Sequence, residues 1–403
     1  MRQPNLFTSN SKASLLSTVF QTATRQRIRG CAKTALGFVL TLAALDVAIN
    51  LLFPYPSDPL NTSPGAMNLY FDYGRSIEGK VTRQLGPTDE TSAPIARPGW
   101  LDARLGEGQP VEPIGQNLLV AVYGMSFAAN TGKAMAQLDP NLTIRIVAGP
   151  SAPPSYSFAA YEADRGKHKA DVVLLGILAS SLKGMGAMTG MTWGAEVPAP
   201  YTFPKYSLEQ GRLKAVQPQV TSLAQFRTTM RDRPQRDAFV AQLQQHDQFF
   251  NSFVFEQNWL DQSALVRMIR RALAKSHQDN ITSQIHTPDG FNPEWEQVPV
   301  LKKIVQEFAT TAQKDGKLPI ILLFNDRGYD DHLYRLLQPT LEQNQIPFVS
   351  THEIAPATDG TNFVGDGHFT EAIDRQIAQK VLALINEKRD RTSTPPPGLT
   401  QAP

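Results

Sequence analysis

Short apolar runs alternate with amphipathic segments from about residue 115 onward. Five such runs cover residues 117–123, 143–147, 171–177, 319–324 and 346–350, and the first and third lack the polar–apolar alternation of a half-exposed strand. Apolar residues recur at helical spacing over residues 300–314, 332–344 and 371–386. Strands buried on both faces that alternate with helices form parallel sheets. The pattern therefore predicts an α/β domain over residues 115–390, with helices on both faces of a parallel sheet.

Residues 184–296 interrupt this alternation. The stretch is too long for a simple crossover, and it contains amphipathic segments at 237–255 and 260–276. We therefore expect a helical insertion that packs on the α/β domain. Packing alone and a role as a lid or substrate-binding element are both open. The basic residues Arg267, Arg270 and Arg271 are expected on a solvated helix face.

A long apolar run lies near the N-terminus. Residues 34–53 are twenty residues marred only by Asp46 and Asn50, and about this length crosses a hydrocarbon core. Six Lys and Arg precede the run, whereas no Asp or Glu comes before Asp46. The positive-inside rule then places the N-terminus in the cytoplasm and the main domain outside it, in the periplasm or another extracytoplasmic space. Residues 31–53 are predicted to be a transmembrane signal-anchor, with a cleaved signal peptide and a buried core helix as alternatives.

The remaining segments differ in composition. Residues 1–30 are rich in Ser, Thr, Asn and Gln and are predicted to be a disordered cytoplasmic tail. Residues 54–114 contain many Pro and Gly, which predicts a stalk and a structured lead-in. The proline-rich end, residues 391–403, is predicted to be disordered.

Bulk composition narrows the function classes. A hydrophobic content of 41% in 403 residues allows a sizeable core. The formal net charge of +2 gives no general footprint for nucleic acid, which is not expected as a partner. A single cysteine, Cys31, excludes an intramolecular disulfide and a cysteine-based metal site. The histidines show no metal-ligand spacing, so the residues give no reason to expect a metal site.

The first candidate for chemistry is Ser126. It follows the first apolar run in the sequence Val-Tyr-Gly-Met-Ser-Phe, residues 122–127. The carboxyl end of a buried parallel strand is where an open α/β sheet presents reactive groups. Gly124 permits a tight turn, and a following helix would aim its first amide groups at an oxyanion near Ser126. A plain helix N-cap is the alternative role for this serine.

The second candidate segment is Asp366-Gly367-His368, directly before the last amphipathic segment. A serine nucleophile needs a base, and the base needs an orienting carboxylate. Two residues that flank a glycine in one turn can face the same site, and Thr370 is expected to cap the following helix. A structural hydrogen-bonded loop is the alternative. Together the two segments predict a catalytic triad of Ser126, His368 and Asp366.

The order and wording of these segments resemble the SGNH hydrolase superfamily, the GDSL-like lipases and esterases. Gly124-Met125-Ser126 resembles the first block of the family, with Met125 where Asp is usual. Asp366-Gly367-His368 resembles the last block, and its one-residue spacing resembles periplasmic relatives that acylate exopolysaccharides such as alginate. The resemblance implies a flavodoxin-like parallel sheet and catalysis without metal or organic cofactor.

The resemblance also implies an oxyanion hole. It would comprise the Ser126 amide, Gly149 after the second strand, and Ser180, which stands where the family has an asparagine. A serine hydroxyl can donate one hydrogen bond but reaches less far than an amide.

The expected function is hydrolysis of ester groups, O-acetyl groups above all, on an extracytoplasmic glycan or similar substrate. An O-acyltransferase on exported polysaccharide is one alternative, with polysaccharide export or assembly proteins as partners. A catalytically silent binding or scaffold module is another. A lipase at the membrane surface is a further alternative, and it predicts an apolar cleft under residues 184–296.

Overall fold

The computed structural model describes residues 11–57, 62–85, 99–115 and 117–393. The strands found there are β1 (Leu118–Gly124), β2 (Leu142–Ala148), β3 (Val172–Leu178), β4 (Lys205–Glu209), β5 (Arg212–Val216), β6 (His286–Thr287), β7 (Gly290–Phe291), β8 (Leu318–Phe324) and β9 (Phe348–Ser350). The α-helices found there are α1 (Ser11–Leu52), α2 (Ala66–Asp72), α3 (Ile77–Leu85), α4 (Ser126–Leu138), α5 (Pro154–Asp164), α6 (Leu223–Arg231), α7 (Arg233–His246), α8 (Ser252–Phe255), α9 (Ala264–Ile285), α10 (Gln297–Lys314), α11 (His332–Gln343) and α12 (Glu371–Ser393). Short 3₁₀ helices cover Ala179–Gly186, Trp259–Gln262 and Gly360–Asn362.

The predicted parallel sheet is confirmed. Five strands pair in the order β2-β1-β3-β8-β9, and every pairing is parallel. Each of the five apolar runs supplies one of these strands. Counted along the chain, the order is 2-1-3-4-5, which is the order of flavodoxin-like doubly wound sheets. The chain therefore adds β2 on one side of β1 and the three later strands on the other side. Because all pairings are parallel, the carboxyl ends of the five strands lie at one edge of the sheet.

Helices cover both faces of this sheet. On one face, α4 and α12 pack against each other and α4 also contacts β1 and β2. The helices α5 and α10 likewise contact each other, α5 packing on β1 and β3 and α10 on β8. Burial on both faces explains why β1 and β3 carry continuous apolar sequence.

A buried ion pair joins the edge strand β2 to α5. Arg145 donates to both carboxylate oxygens of Asp164, at 2.6 and 2.7 Å. The hydroxyl of Tyr123 on β1 donates to the same carboxylate at 2.9 Å. Burial by itself raises the pKa of Asp164, but the hydrogen bonds from Arg145 and Tyr123 outweigh it and hold that pKa below its usual value. Both charges are therefore compensated where they are removed from water.

The first helix is longer than the predicted anchor. Its part Gly30–Leu52 is long and apolar enough to span a membrane, with a mean hydropathy of 2.1. The described part of the helix runs from Ser11, so residues 11–30 are helical where polar composition predicts disorder. That stretch contains no proline and its only glycine is Gly30, so nothing in it breaks a helix. Residues 1–10 of the predicted tail lie outside the described residues, as do residues 394–403 at the other end.

Residues 62–85 and 99–115 pack on the main domain. On α3, Ile77 and Val81 are buried in the same core cluster as the sheet, and Trp100 joins them. Glu78 forms an ion pair with Arg236 of α7 at 2.5 Å. This part of the predicted stalk and lead-in is thus structured, while residues 58–61 and 86–98 lie outside the described residues.

Residues 184–296 hold α6 to α9 and two hairpins, β4–β5 and β6–β7. The two predicted amphipathic segments correspond to α7 and α9 with shifted ends. The expectation of a solvated arginine face on α9 is wrong, because Arg267 and Arg270 are buried. They are held there by hydrogen bonds to backbone carbonyls and to Asp261, which no local pattern reveals.

Candidate active site

Ser126 is the first residue of α4 and lies directly beyond the carboxyl end of β1. Met125 is extended, so the chain turns from strand to helix within two residues. Gly124 is needed here because Ala128 and Gly176 come so close that no side chain would fit between them. A Cβ on Gly124 would lie 2.7 Å from the Cβ of Ala128 and 3.2 Å from the carbonyl oxygen of Gly176. The close approach fixes the start of α4, and with it Ser126, against β3.

The three predicted catalytic residues lie together. His368 Nε2 is 2.6 Å from Ser126 Oγ. The other ring nitrogen, His368 Nδ1, is 3.0 Å from Asp366 Oδ1. The same carboxylate oxygen accepts a hydrogen bond from the His368 backbone amide at 3.1 Å. The result is a serine–imidazole–carboxylate relay in which the base contacts both partners within hydrogen-bond reach.

Backbone hydrogen bonds hold the turn that carries His368 and Asp366. Val364 N donates to His368 O at 2.8 Å, and Phe363 and Phe369 form an isolated antiparallel bridge. Gly367 adopts a φ of +91°, a conformation that a side chain would strain. The turn thus brings two side chains two residues apart to the same side, as their spacing predicts.

Aromatic rings support the imidazole. Phe127, the residue after the serine, stacks on the His368 ring with centroids 5.0 Å apart and planes inclined by 28°. Phe369 meets Phe127 edge-on, also at 5.0 Å. Both phenylalanines are buried. Phe127, which packs against Phe369, therefore restricts the orientation of the His368 ring.

The two carboxyl groups near His368 have opposite surroundings. Hydrogen bonds from the backbone amide and the side chain of His368 hold the pKa of Asp366 below its usual value. Burial raises the pKa of Asp374 on α12 to about 7, although the nearby charge of His368 lowers it. Asp374 Oδ1 has no hydrogen-bond partner among the described residues. Asp366 is therefore the carboxylate that stays ionised beside the imidazole.

Asp374 was missed by the sequence analysis. The signal for it is its place on α12, where Asp374 shares a helix face with the buried residues Ile377, Ala378 and Val381. A single acid on the apolar face of an amphipathic helix is a sign of a specific polar environment.

The three expected oxyanion donors differ in their present partners. The amide of Ser126 belongs to the first turn of α4, whose amides have no acceptor within the helix. The amide of Gly149 donates to Gly124 O at 3.1 Å. The hydroxyl of Ser180 donates to Asp326 Oδ2. Gly149 and Ser180 would have to leave these acceptors in order to bind an oxyanion.

The segment after β8 lies at the same sheet edge. Asn325 is buried and donates to Ala355 O at 2.7 Å, which gives it a structural role. The Arg327 guanidinium lies 5.1 Å from the centroid of the Phe363 ring and contacts Val364 O at 3.5 Å. Arg327 thus borders the turn that holds His368.

A cavity of about 560 Å³ lies elsewhere, between α9 and the residues that follow β3. Its lining includes neither Ser126 nor His368 but includes six basic side chains: Arg75, Lys80, Lys183, Arg270, Arg271 and Lys275. Four of these six already form ion pairs with acidic residues. Glu196 and Asp279 also line the cavity, so charges of both signs border it. Because neither Ser126 nor His368 borders it, the cavity is not the cleft at the catalytic site that the lipase alternative predicts.

Among the described residues, no three His, Cys, Asp or Glu side chains form a group that could hold a metal ion. Comparisons with protein-family models, curated proteins and solved structures found no match to this chain. The conclusions about function therefore depend on the geometry of the site and its place in the fold.

Proposed function

We propose that the chain is a serine-dependent acyl hydrolase or acyl-transfer enzyme of the SGNH type that acts on ester groups, O-acetyl groups above all. The observation that carries the proposal is the relay Ser126–His368–Asp366 at the carboxyl edge of a parallel sheet. A 2-1-3-4-5 sheet also supports the SGNH assignment, with residues 184–296 as an insertion.

The proposed reaction begins with attack by Ser126 Oγ on the ester carbonyl carbon while His368 Nε2 takes the hydroxyl proton. Asp366 stabilises the imidazolium and keeps Nδ1 protonated. Collapse of the tetrahedral intermediate breaks the ester bond, and His368 returns the proton to the leaving alcohol. Water, or a sugar hydroxyl in a transferase, then attacks the acyl-enzyme in the reverse sequence of proton transfers.

The oxyanion would be held first by the Ser126 amide. The first turn of α4 presents its partial positive charge at that point. Gly149 and Ser180 complete the proposed oxyanion hole if substrate binding draws their donors away from Gly124 and Asp326. Removal of one such donor costs about a hundredfold or more in rate in comparable enzymes.

The proposed location follows from α1. We propose that α1 crosses the membrane with its N-terminus in the cytoplasm, because basic residues precede the apolar run. The α/β domain would then face the periplasm or another extracytoplasmic space. An acylated glycan is the substrate class that such an enzyme would meet, and export or assembly proteins would be its neighbours.

The test is active-site labelling of the full chain in detergent with a fluorophosphonate probe, which reacts with activated serines. We expect labelling of the native chain and none of Ser126→Ala or His368→Ala. Ser207→Ala, at an exposed serine of β4, is the matched control and should label fully. Undiminished labelling of Ser126→Ala would show that another serine reacts and would refute the proposed nucleophile.

A silent binding or scaffold module is the second candidate. The observation that favours it is the engagement of Gly149 and Ser180 with other acceptors. This candidate predicts that the native chain is not labelled by the probe and releases no acetate from acetylated glycans. A cooperative unfolding transition would show that the unlabelled chain is folded. Labelling without hydrolysis, but with acetyl transfer to a sugar acceptor, would instead identify a transferase.

A further inference from the structure

In its first turns, helix α9 buries arginine side chains and exposes apolar ones, whereas its last turns bury Ile281 and Ile285 in the usual way. Arg270 is only 1% exposed and Arg267 is buried as well, whereas Ile269 is 57% exposed. Met268 and Leu273 are exposed beside Ile269. Ile269 and Leu273 are four residues apart and therefore lie on one face of the helix, and the exposed Met268 lies beside that face. A helix in contact with water normally shows the opposite arrangement.

The buried arginines prevent α9 from rotating this face inward. Arg267 donates to Phe71 O, Asp261 O and Asn50 Oδ1, each at 2.8 or 2.9 Å. Arg270 donates to Phe253 O at 2.8 Å and forms an ion pair with Asp261. Rotation would break these bonds and leave buried charges without partners, which is strongly unfavourable.

Neighbouring elements extend the apolar face. Trp259 in the preceding 3₁₀ helix is 80% exposed, and Met67 and Tyr70 are exposed on α2. Both elements contact α9. Outside α1, six of the ten exposed large apolar residues in the described parts of the chain belong to this surface, which we call the α2–α9 apron: Met67, Tyr70, Trp259, Met268, Ile269 and Leu273. Such concentration marks an interaction surface.

The apron begins where α1 leaves the domain. Asp46 of α1 accepts hydrogen bonds from Leu265 N at 2.8 Å and from Ser263 Oγ at 3.0 Å. Asn50 donates to Gln262 O at 3.2 Å. The two polar residues that interrupt the apolar run thus fix the last turns of α1 to the first turn of α9. Leu51 and Leu52 on the same last turn of α1 remain exposed.

We propose that the α2–α9 apron lies against the lipid bilayer that holds α1. Continuity with the exposed apolar side of α1 favours the bilayer as the occupant. Tyr70 and Trp259 have the amphipathic rings that proteins place at the headgroup level. The contact fixes the tilt of the α/β domain on the membrane. It depends on insertion of α1 and is independent of the proposed catalytic function.

The first test uses tryptophan fluorescence of the full chain in phosphatidylcholine vesicles. The chain has four tryptophans, of which Trp100 and Trp295 are buried and Trp193 is half-buried. We expect brominated phosphatidylcholine to quench the emission, and Trp259→Phe to abolish most of that quenching. Trp295→Phe is the matched control and should retain it. Quenching that is the same in Trp259→Phe as in the native chain would overturn the proposal.

A second test separates the bilayer from a second copy of the chain. A nitroxide at Ile269→Cys, in a Cys31→Ser background, should collide with oxygen and be shielded from a water-soluble nickel complex. The same label at Lys133→Cys, on the exposed side of α4, should show the reverse. Equal nickel accessibility at both sites would overturn the proposal in favour of water. Efficient disulfide-linked dimerisation of the unlabelled Ile269→Cys variant would overturn it in favour of a second copy.

Discussion

Asp366 acts on His368 from a turn that is open to water. Its side chain is 69% exposed, yet its Oδ1 lies 3.0 Å from His368 Nδ1. An exposed carboxylate interacts through a high dielectric and is screened by salt, so its electrostatic effect on the imidazolium is modest. Its geometric effect, the choice of the ring tautomer, does not depend on the dielectric. Orientation should therefore be its main contribution.

We predict that Asp366→Asn lowers kcat for an acetyl ester by about 10²- to 10⁴-fold, no more than the loss of His368 itself, because the amide favours the wrong ring tautomer. Thermal stability should not change, because the group is exposed. Rates of p-nitrophenyl acetate hydrolysis by the native chain and the variant measure the effect. Glu353→Gln, which removes another exposed carboxylate, is the control. An unchanged kcat in Asp366→Asn would assign the orienting role to another group.

Asp374 makes the stability of the fold depend on pH. Its pKa is about 7 in the folded chain, against a reference value of 3.8. Between about pH 4 and pH 7 the unfolded chain has lost this proton and the folded chain still holds it. The stabilising contribution is thus complete at acid pH and disappears as the pH rises through 7.

The native chain should be more stable at pH 5 than at pH 8. We predict that Asp374→Asn reduces this difference in the free energy of unfolding by roughly 1–2 kcal/mol, after allowance for screening by nearby water. At pH 8 the variant should be more stable than the native chain. Urea unfolding at pH 5 and pH 8 measures the difference. Asp247, whose pKa burial raises to about 6, is present in both chains and cancels from the comparison. A variant whose stability follows the native chain at both pH values would contradict the assignment.

At the residue scale, Ser126 and His368 could be predicted because each follows a glycine closely, Gly124 by two residues and Gly367 by one, before a helix. The helix pattern marks Asp374 as an acid on an apolar face, but it does not show that this carboxyl group lies near His368. The partners of Gly149 and Ser180 were equally inaccessible. Gly149 bonds to the end of β1 and Ser180 to the loop after β8. These contacts depend on the tertiary packing, which local sequence does not encode.

At the scale of elements, short apolar runs predicted the five sheet strands to within about two residues. In β1, β3 and β8, burial on both faces leaves an apolar residue at nearly every position, whereas β2 is buried only at alternate positions. The hairpin β4–β5 gave no such signal, since its strands are partly exposed and carry Lys, Glu and Arg. The ion pair between β2 and α5 was also unpredictable, because its members are 19 residues apart along the chain.

We predict that Arg145→Met destabilises the domain by about 3–5 kcal/mol, because it leaves Asp164 buried without its cation. The double variant Arg145→Met with Asp164→Asn should recover part of this loss. Urea unfolding of the native chain, the single variants and the double variant gives the coupling energy. Arg104→Met, at an exposed ion pair with Asp102, should cost less than about 1 kcal/mol. Equal effects of Arg145→Met and Arg104→Met would contradict the role of the buried pair.

At the scale of the whole molecule, the segment before the sheet belongs to the fold as much as the sheet does. Ile77, Val81 and Trp100 are part of the main core cluster. The backbone amide of Ser76 donates to Asp261 at 3.0 Å, and Asp261 in turn pairs with Arg270 beneath α9. Removal of residues 54–114 would therefore expose part of the core. It would also remove the hydrogen bond from Ser76 that positions Asp261, the acidic partner of Arg270.

We predict that a chain starting at residue 54 unfolds cooperatively, whereas a chain starting at residue 115 does not. The first truncation removes only α1 and the contacts of Asp46 and Asn50 with α9, at a cost of about 1–2 kcal/mol. The second also removes buried apolar side chains from a core that cannot close without them. Calorimetry of both fragments, with soluble yield as a second measure, provides the test. A cooperative transition at the same temperature in both would reduce residues 54–114 to a tether, and the orientation of α9 would then have to be maintained by the α/β domain alone.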